Sequence, residues 1–168
     1  TTEFLREDLD GRKIENIFLK DLPAMVAVHN KDIVQPIGIF YAEEQNIIII
    51  HIIANTAHLE WRLAEHIVEL AKRTEAQHIY TLEGVADPTE GKEGNAVMYF
   101  TQGDGSGLEE KGLKPLQDGI VMGVTSALML KSHDVDLTAL FALTHSQLPD
   151  SKAAAEIIKV MDTVIGLN

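Results

Sequence analysis

A run of isoleucines, from Asn46 to Ala54, constrains the fold of this chain more than any other feature. A nearly unbroken series of β-branched residues this short predicts a strand with both faces buried. The following residues, Leu59 to Lys72, place apolar side chains on one face of a helix, and His78 to Leu82 is again apolar at strand length. Strand, helix and strand within about 35 residues are typical of a βαβ unit with two parallel strands. We therefore predict an α/β fold.

The first 44 residues predict one helix and three strands. Thr2 to Leu9 has helical spacing and precedes a glycine that ends the helix. Three strand-length segments follow, Lys13 to Leu19, Ala24 to Asn30 and Pro36 to Glu44, and the short turns between them indicate a meander. We therefore expect a mixed sheet. Because an α/β domain more often opens with a strand that feeds its first helix, we also expect that an N-terminal strand is missing from these residues.

The second half of the chain predicts another βαβ unit. Gly119 to Gly123 indicates a buried strand, Thr125 to Lys131 a helix capped by its first residue, and Leu137 to Thr144 a further buried strand. Pro149-Asp150-Ser151 begins a last helix, whose apolar stripe ends at Gly166. The 168 residues contain no repeat and no linker, and this length fits one domain with a single core.

Composition disfavours several classes of protein. The chain has 26 acidic and 14 basic residues, and its net charge of -12 would repel nucleic-acid phosphates. The absence of cysteine excludes disulfides and thiolate catalysis and fits an intracellular protein. No apolar run reaches about 18 residues and the N-terminus is charged, so we expect no membrane span, no signal peptide and a cytoplasmic location.

Two polar segments could bind ions. Gly103 to Gly107 resembles a phosphate loop, but it lacks the GK[ST] ending, and Glu109 and Glu110 would repel phosphate, so a flexible loop is favoured. His133 to Asp136 is the densest group of candidate metal ligands, yet a polar turn between helix and strand is the commoner explanation. We expect no metal and no cofactor.

The candidates for catalysis are weak. His51 lies within the isoleucine run, where a hydrogen-bonded core histidine is favoured over a ligand or base. A triad of Ser126, His145 and Asp150 can be drawn, but the serine lacks the second glycine of the nucleophile elbow. We assign no catalytic residue.

Two groups of residues are candidates for binding. Glu83, Gly84 and Thr125 follow predicted strands, and open α/β sheets bind ligands at the carboxyl ends of their strands. The alternative is that these residues only form turns and caps. The second group is more apolar than a solvated loop requires and could form an oligomer interface or another core strand. It comprises Val97, Met98, Tyr99 and Phe100.

Three segments carry a family resemblance: Thr81 to Val85, Gly119 to Leu130 and Leu148 to Leu167. In this order and spacing they resemble the archaeal and bacterial homologues of the proteasome assembly chaperones, a family sometimes labelled ATP-grasp. The resemblance implies a three-layer α/β/α fold with a mixed sheet, similar to that of nucleoside phosphorylases. It also implies a homo-oligomer that binds proteasome subunits and does not catalyse a reaction.

The expected function is therefore that of a non-catalytic protein-binding module, a homologue of the assembly chaperones. The alternative is a nucleotide- or nucleoside-binding enzyme, a hydrolase or ligase, with a pocket near Glu83 and Thr125. No motif in the sequence supports that alternative.

Overall fold

The computed structural model describes residues 1–86, 97–144 and 150–167. The helices in these ranges are α1 (Thr2–Asp8), α2 (Glu60–Arg73), α3 (Ser106–Glu110), α4 (Val124–Lys131) and α5 (Ser151–Ile165). The strands are β1 (Arg12–Asn16), β2 (Ala27–His29), β3 (Asp32–Val34), β4 (Ile37–Ala42), β5 (Ile47–Ile52), β6 (His78–Ala86), β7 (Val97–Thr101), β8 (Lys114–Pro115) and β9 (Asp136–Thr144). They form two compact units, Thr1–Leu59 with Leu167, and Glu60–Gly166.

The first unit contains a three-stranded antiparallel sheet in the order β1-β4-β5 and a separate antiparallel hairpin, β2-β3. The meander is therefore interrupted, because β1 pairs with β4 and not with β2. Helix α1 packs against β5. The isoleucine run forms a strand as predicted, but among the described residues β5 has a neighbour on one side only, and just Ile49 and His51 are fully buried. The prediction that both faces of this strand are buried was wrong. Isoleucine favours a strand wherever the strand lies in a sheet, so the isoleucine run does not specify burial.

The second unit contains a four-stranded mixed sheet in the order β6-β9-β7-β8. Strands β6 and β9 are parallel, whereas β7 and β9 are antiparallel, so the prediction of a mixed sheet is confirmed. The central strand β9 carries Leu137 and Leu140, both without exposed surface. Helices α2 and α4 pack on each other, and α5 packs on β9 and β7.

Both βαβ predictions were wrong. Strands β5 and β6 belong to different sheets, so α2 does not connect parallel neighbours. The segment from Gly119 to Gly123 forms no strand, and its Ile120 and Met122 are 91% and 78% exposed. An apolar run of three residues between glycines is too short for periodicity to distinguish a strand from a loop.

Two helices follow the sequence closely. Helix α2 buries Leu63, Ile67 and Leu70 along its apolar stripe. Helix α5 begins where the Asp150 carboxylate accepts hydrogen bonds from two backbone N–H groups, and it ends at Gly166, which has a φ of +67°. In the described part of the chain no helix is long and apolar enough to cross a membrane.

Candidate functional site

The structure brings Glu83 and Thr125 together. Glu83 lies near the carboxyl end of β6, and Thr125 lies in the first turn of α4, whose N-cap is Gly123 and not Thr125. The Thr125 hydroxyl donates to Glu83 Oε1 over 2.5 Å, and Thr125 itself is buried. Gly84 is exposed beside them, and a Cβ there would lie 3.1 Å from Thr144 Cγ2.

The Glu83 carboxyl is electrostatically unusual. Burial raises its pKa, and the hydrogen bond from Thr125 acts in the opposite direction by stabilising the charged form. Two residues earlier, on the same face of β6, the Thr81 hydroxyl is buried without a hydrogen-bond partner among the described residues. The Glu83–Thr125 bond ties helix to sheet, and a ligand role for these residues stays a prediction.

The apolar segment predicted as an interface or a core strand forms β7. This strand lies between β9 and β8, and Tyr99 is only 3% exposed. Phe100 is the most exposed of the four at 37%, and Val97 and Met98 are half-buried. Any contribution of this strand to an oligomer interface would therefore centre on Phe100.

An open cavity of about 380 Å³ lies beside β7 and α3. Its lining includes Asp104, Glu109 and the apolar pair Pro115 and Leu116. The Tyr99 hydroxyl donates towards Glu109 Oε1 and the Gly105 carbonyl, each over 3.3 Å, and burial together with nearby carboxylates raises the pKa of Tyr99. Asp104 and Gly105 of the glycine-rich segment thus form part of the wall of a cavity whose carboxylates would repel a nucleotide phosphate.

Two members of the triad that can be drawn from the sequence make other hydrogen bonds, and the third lies outside the described residues. The Ser126 hydroxyl donates to the carbonyl oxygen of Gly123 over 2.8 Å, as is common in the first turn of a helix. Asp150 caps α5, and His145 lies outside the described residues.

In the turn from His133 to Asp136, the candidate metal ligand Asp134 forms an ion pair. Lys72 donates to Asp134 over 2.6 Å, which lowers the pKa of that carboxyl. His51 is buried with its Nδ1 2.8 Å from the Thr2 hydroxyl, so the prediction of a hydrogen-bonded core histidine is confirmed. Among the described residues, metal-ligating atoms of Glu3, Glu7 and His29 converge within 4.8 Å of one another. This group was not predicted from the sequence.

The most exposed large apolar side chains of the described chain are Ile120 and Met122. Both lie in the loop from Gly119 to Gly123, which we call the apolar loop. A solvated loop gains nothing from such side chains, and exposed apolar groups of this kind often mark a surface that another protein covers. The composition of this segment is that of a core strand, which is why the sequence predicts a buried strand there.

Comparison with known proteins gives a family match and several similar folds. A family model described as the PAC2 family matches residues 1–168. No curated protein sequence matches the chain.

Three solved structures share the fold. Pyrococcus furiosus PbaA, described as an archaeal homolog of proteasome-assembly chaperone, is 24% identical with a TM-score of 0.86, over 99% of this chain and 75% of its own. A Thermoplasma acidophilum protein with unknown function is 14% identical with a TM-score of 0.85, over 96% and 68%. Pyrococcus furiosus PbaB, described as an archaeal proteasome activator, is 14% identical with a TM-score of 0.76, over 99% and 78%.

Proposed function

We propose that this chain, which belongs to the PAC2 family, is a non-catalytic protein-binding module that acts as a proteasome assembly chaperone homologue. The observation that carries the proposal is the family match over the whole chain, together with the similarity of its fold to PbaA. Its partners in this proposal are proteasome subunits and other copies of itself. Because one fold hosts many functions, the surface of this chain must supply the rest of the argument.

The surface supports binding of a protein. Ile120 and Met122 project from the apolar loop, and burying two such side chains against a partner would contribute about 3–6 kcal/mol. The loop precedes α4, whose Leu130 is also 60% exposed. We propose that the apolar loop is a binding anchor, since a few large side chains supply most of the affinity of a protein interface.

The layer arrangement, the oligomeric state and the cellular location that the family resemblance implies belong to the same proposal. We propose one domain with a three-layer α/β/α arrangement similar to nucleoside phosphorylases. We also propose a cytoplasmic homo-oligomer, with Phe100 on β7 as a candidate interface residue.

The rival function is a nucleotide- or nucleoside-binding enzyme, the class to which the ATP-grasp label points. The half-buried Glu83 carboxyl favours it, as does the buried Thr81 hydroxyl, which has no hydrogen-bond partner among the described residues, because an unsatisfied buried polar group can await a ligand. The acidic lining of the cavity disfavours it, since Asp104 and Glu109 would repel phosphate. A thermal-shift screen separates the two, because a ligand at about 100 times its Kd stabilises the native state by ~2.7 kcal/mol. We expect a flat response to nucleotides and nucleosides.

Affinity capture tests the binding surface. The double variant Ile120→Ser, Met122→Ser should capture less of the proteasome subunits from a cell extract than the parent chain does. The matched control is Val28→Ser, Ile33→Ser, which removes another exposed apolar pair, on the β2-β3 hairpin. Equal capture by all three proteins would remove the apolar loop from the proposal, and no capture by the parent would overturn the function.

A further inference from the structure

Three metal-ligating side chains converge in the first unit, at a place that the proposed function does not use. Glu3 and Glu7 lie four residues apart on one face of α1. His29 lies at the end of β2, and its Nε2 is 3.6 Å from Glu7 Oε1. One ligand atom from each of the three residues lies within 4.8 Å of the other two, and all three residues are exposed.

The side chains at this place carry an excess of negative charge that a bound cation would neutralise. Two carboxylates at i, i+4 on a helix repel each other. Arg6 donates to Glu7 Oε1 over 2.8 Å, but its guanidinium contacts Glu7 and not Glu3. A carboxylate offers about four lone-pair sites on its two oxygens, so Glu7 can keep this ion pair and still bind an ion.

We propose that Glu3, Glu7 and His29 bind one Zn²⁺ ion, with water as the fourth ligand. Zinc binds imidazole nitrogen and carboxylate oxygen at about 2.0–2.2 Å, which places two ligands of a tetrahedral site about 3.4 Å apart. The observed 3.6 Å between Glu7 and His29 meets this spacing. The Glu3 ligand atom lies within 4.8 Å of the other two, on an exposed side chain.

The chemistry of the ligands selects the ion. An imidazole nitrogen favours zinc and its transition-metal neighbours, whereas calcium and magnesium prefer a shell made only of oxygen. Three protein ligands with one position open to water are typical of a zinc site that is accessible to solvent.

The ion would tie α1 to the β2-β3 hairpin. That hairpin forms its own two-stranded sheet, and such sheets are marginally stable by themselves in water. Its outward side carries Val28 and Ile33, which pair across the two strands and are 70% and 62% exposed. A zinc ion that joins the two elements would therefore order the hairpin and its apolar side.

Metal titration of the full chain tests the site. The EDTA-treated, dialysed protein is titrated with Zn²⁺ by calorimetry and with Co²⁺ by visible absorption. We expect one saturable ion per chain. The variants Glu3→Gln and His29→Gln should each weaken binding at least about tenfold, since even outer partners of metal ligands contribute 10- to 100-fold.

The matched control is His66→Gln, which removes another exposed histidine, on α2. It should bind zinc as the parent does. Circular dichroism in EDTA establishes that each variant is folded, and amide exchange in β2 and β3 should slow when Zn²⁺ is added to the parent but not to His29→Gln. A parent chain without saturable binding, or a His29→Gln variant that binds zinc as tightly as the parent, would overturn the proposal.

Discussion

Two strands that end a sheet, β5 and β6, are held differently from the central strand β9. Six of the nine residues of β9 are buried, and all of these six except Thr138 are apolar. Strands β5 and β6 are half-buried, and each has one titratable side chain bound to a threonine hydroxyl of a helix: His51 to Thr2 and Glu83 to Thr125. A strand without neighbours on both sides buries less apolar surface, so a specific polar bond contributes a larger share of what fixes its position.

The two polar bonds differ in the chemistry of the titrating group. Burial lowers the pKa of His51 and raises the pKa of Glu83, because it disfavours the charged form in each case. A fall in pH therefore increases the contribution of Glu83 to the free energy of unfolding and decreases that of His51.

The largest expected effect belongs to the central strand. Leu140→Ala should lower the free energy of unfolding by about 2–5 kcal/mol, because Leu140 has no exposed surface and the substitution leaves a cavity. Ile48→Ala in β5 should cost no more than roughly half as much, since Ile48 is already partly exposed. Urea unfolding measures both values, and equal costs would remove the distinction between central and end strands.

The second effect concerns the bond between β6 and α4. Thr125→Val keeps the shape of the side chain but leaves the half-buried Glu83 carboxyl without this donor, which should cost about 1–3 kcal/mol. Thr125→Ser retains the hydroxyl and serves as the control. If Val and Ser are equally tolerated, the hydrogen bond does not hold the strand.

A smaller effect is expected for the corresponding bond of β5. Thr2→Val removes the hydroxyl that is hydrogen-bonded to His51 Nδ1 and should cost about 1 kcal/mol, again measured by urea unfolding. Thr1→Val, at the neighbouring exposed residue that makes no side-chain cap bond, is the control. A cost for Thr2→Val above that of Thr125→Val would reverse the order proposed for the two ends.

The smallest expected effect is the dependence of stability on pH, and it gives the clearest comparison between β5 and β6. The stabilisation that Glu83 contributes to the free energy of unfolding is fully present below its unfolded pKa of about 4.3. It is lost as pH rises through the raised pKa of the folded state. The contribution of His51 is present above its unfolded pKa of about 6.5 and is lost as pH falls through its lowered folded pKa. The free energies of unfolding of Glu83→Gln and His51→Gln, each minus that of the parent, should therefore change with pH in opposite directions. Slopes of the same sign would contradict the assignment.

The sequence predicts those elements that long periodicity and caps specify. Helix α5 has an apolar stripe over several turns, a capping Asp150 and a terminal Gly166, and it forms where predicted. The loop from Gly119 to Gly123 has the composition of a core strand but no pairing partner, and sequence alone gives no information on pairing. For the same reason the isoleucine strand was correctly predicted while its burial was not.

The candidate sites show the same limit. Glu83 and Thr125 follow two predicted strands, and the structure joins them, although the segment before Thr125 is not a strand. Glu3 and Glu7 are recognisable as a helical i, i+4 pair, but their separation from His29 by more than twenty residues makes the third ligand invisible without the fold. By contrast, the sequence does predict that Glu109 would repel phosphate near the glycine-rich segment, and Glu109 lines the cavity there.

The central claim is that this PAC2 protein assists proteasome assembly by binding subunits without catalysis. The most direct measurement is the yield of assembled particles on native gels, with purified proteasome subunits from the same organism mixed with and without the full chain. We expect the protein to increase the yield, and we expect the Ile120→Ser, Met122→Ser variant to increase it less, with no nucleotide added. An unchanged yield, together with no complex between the protein and any subunit, would contradict the claim.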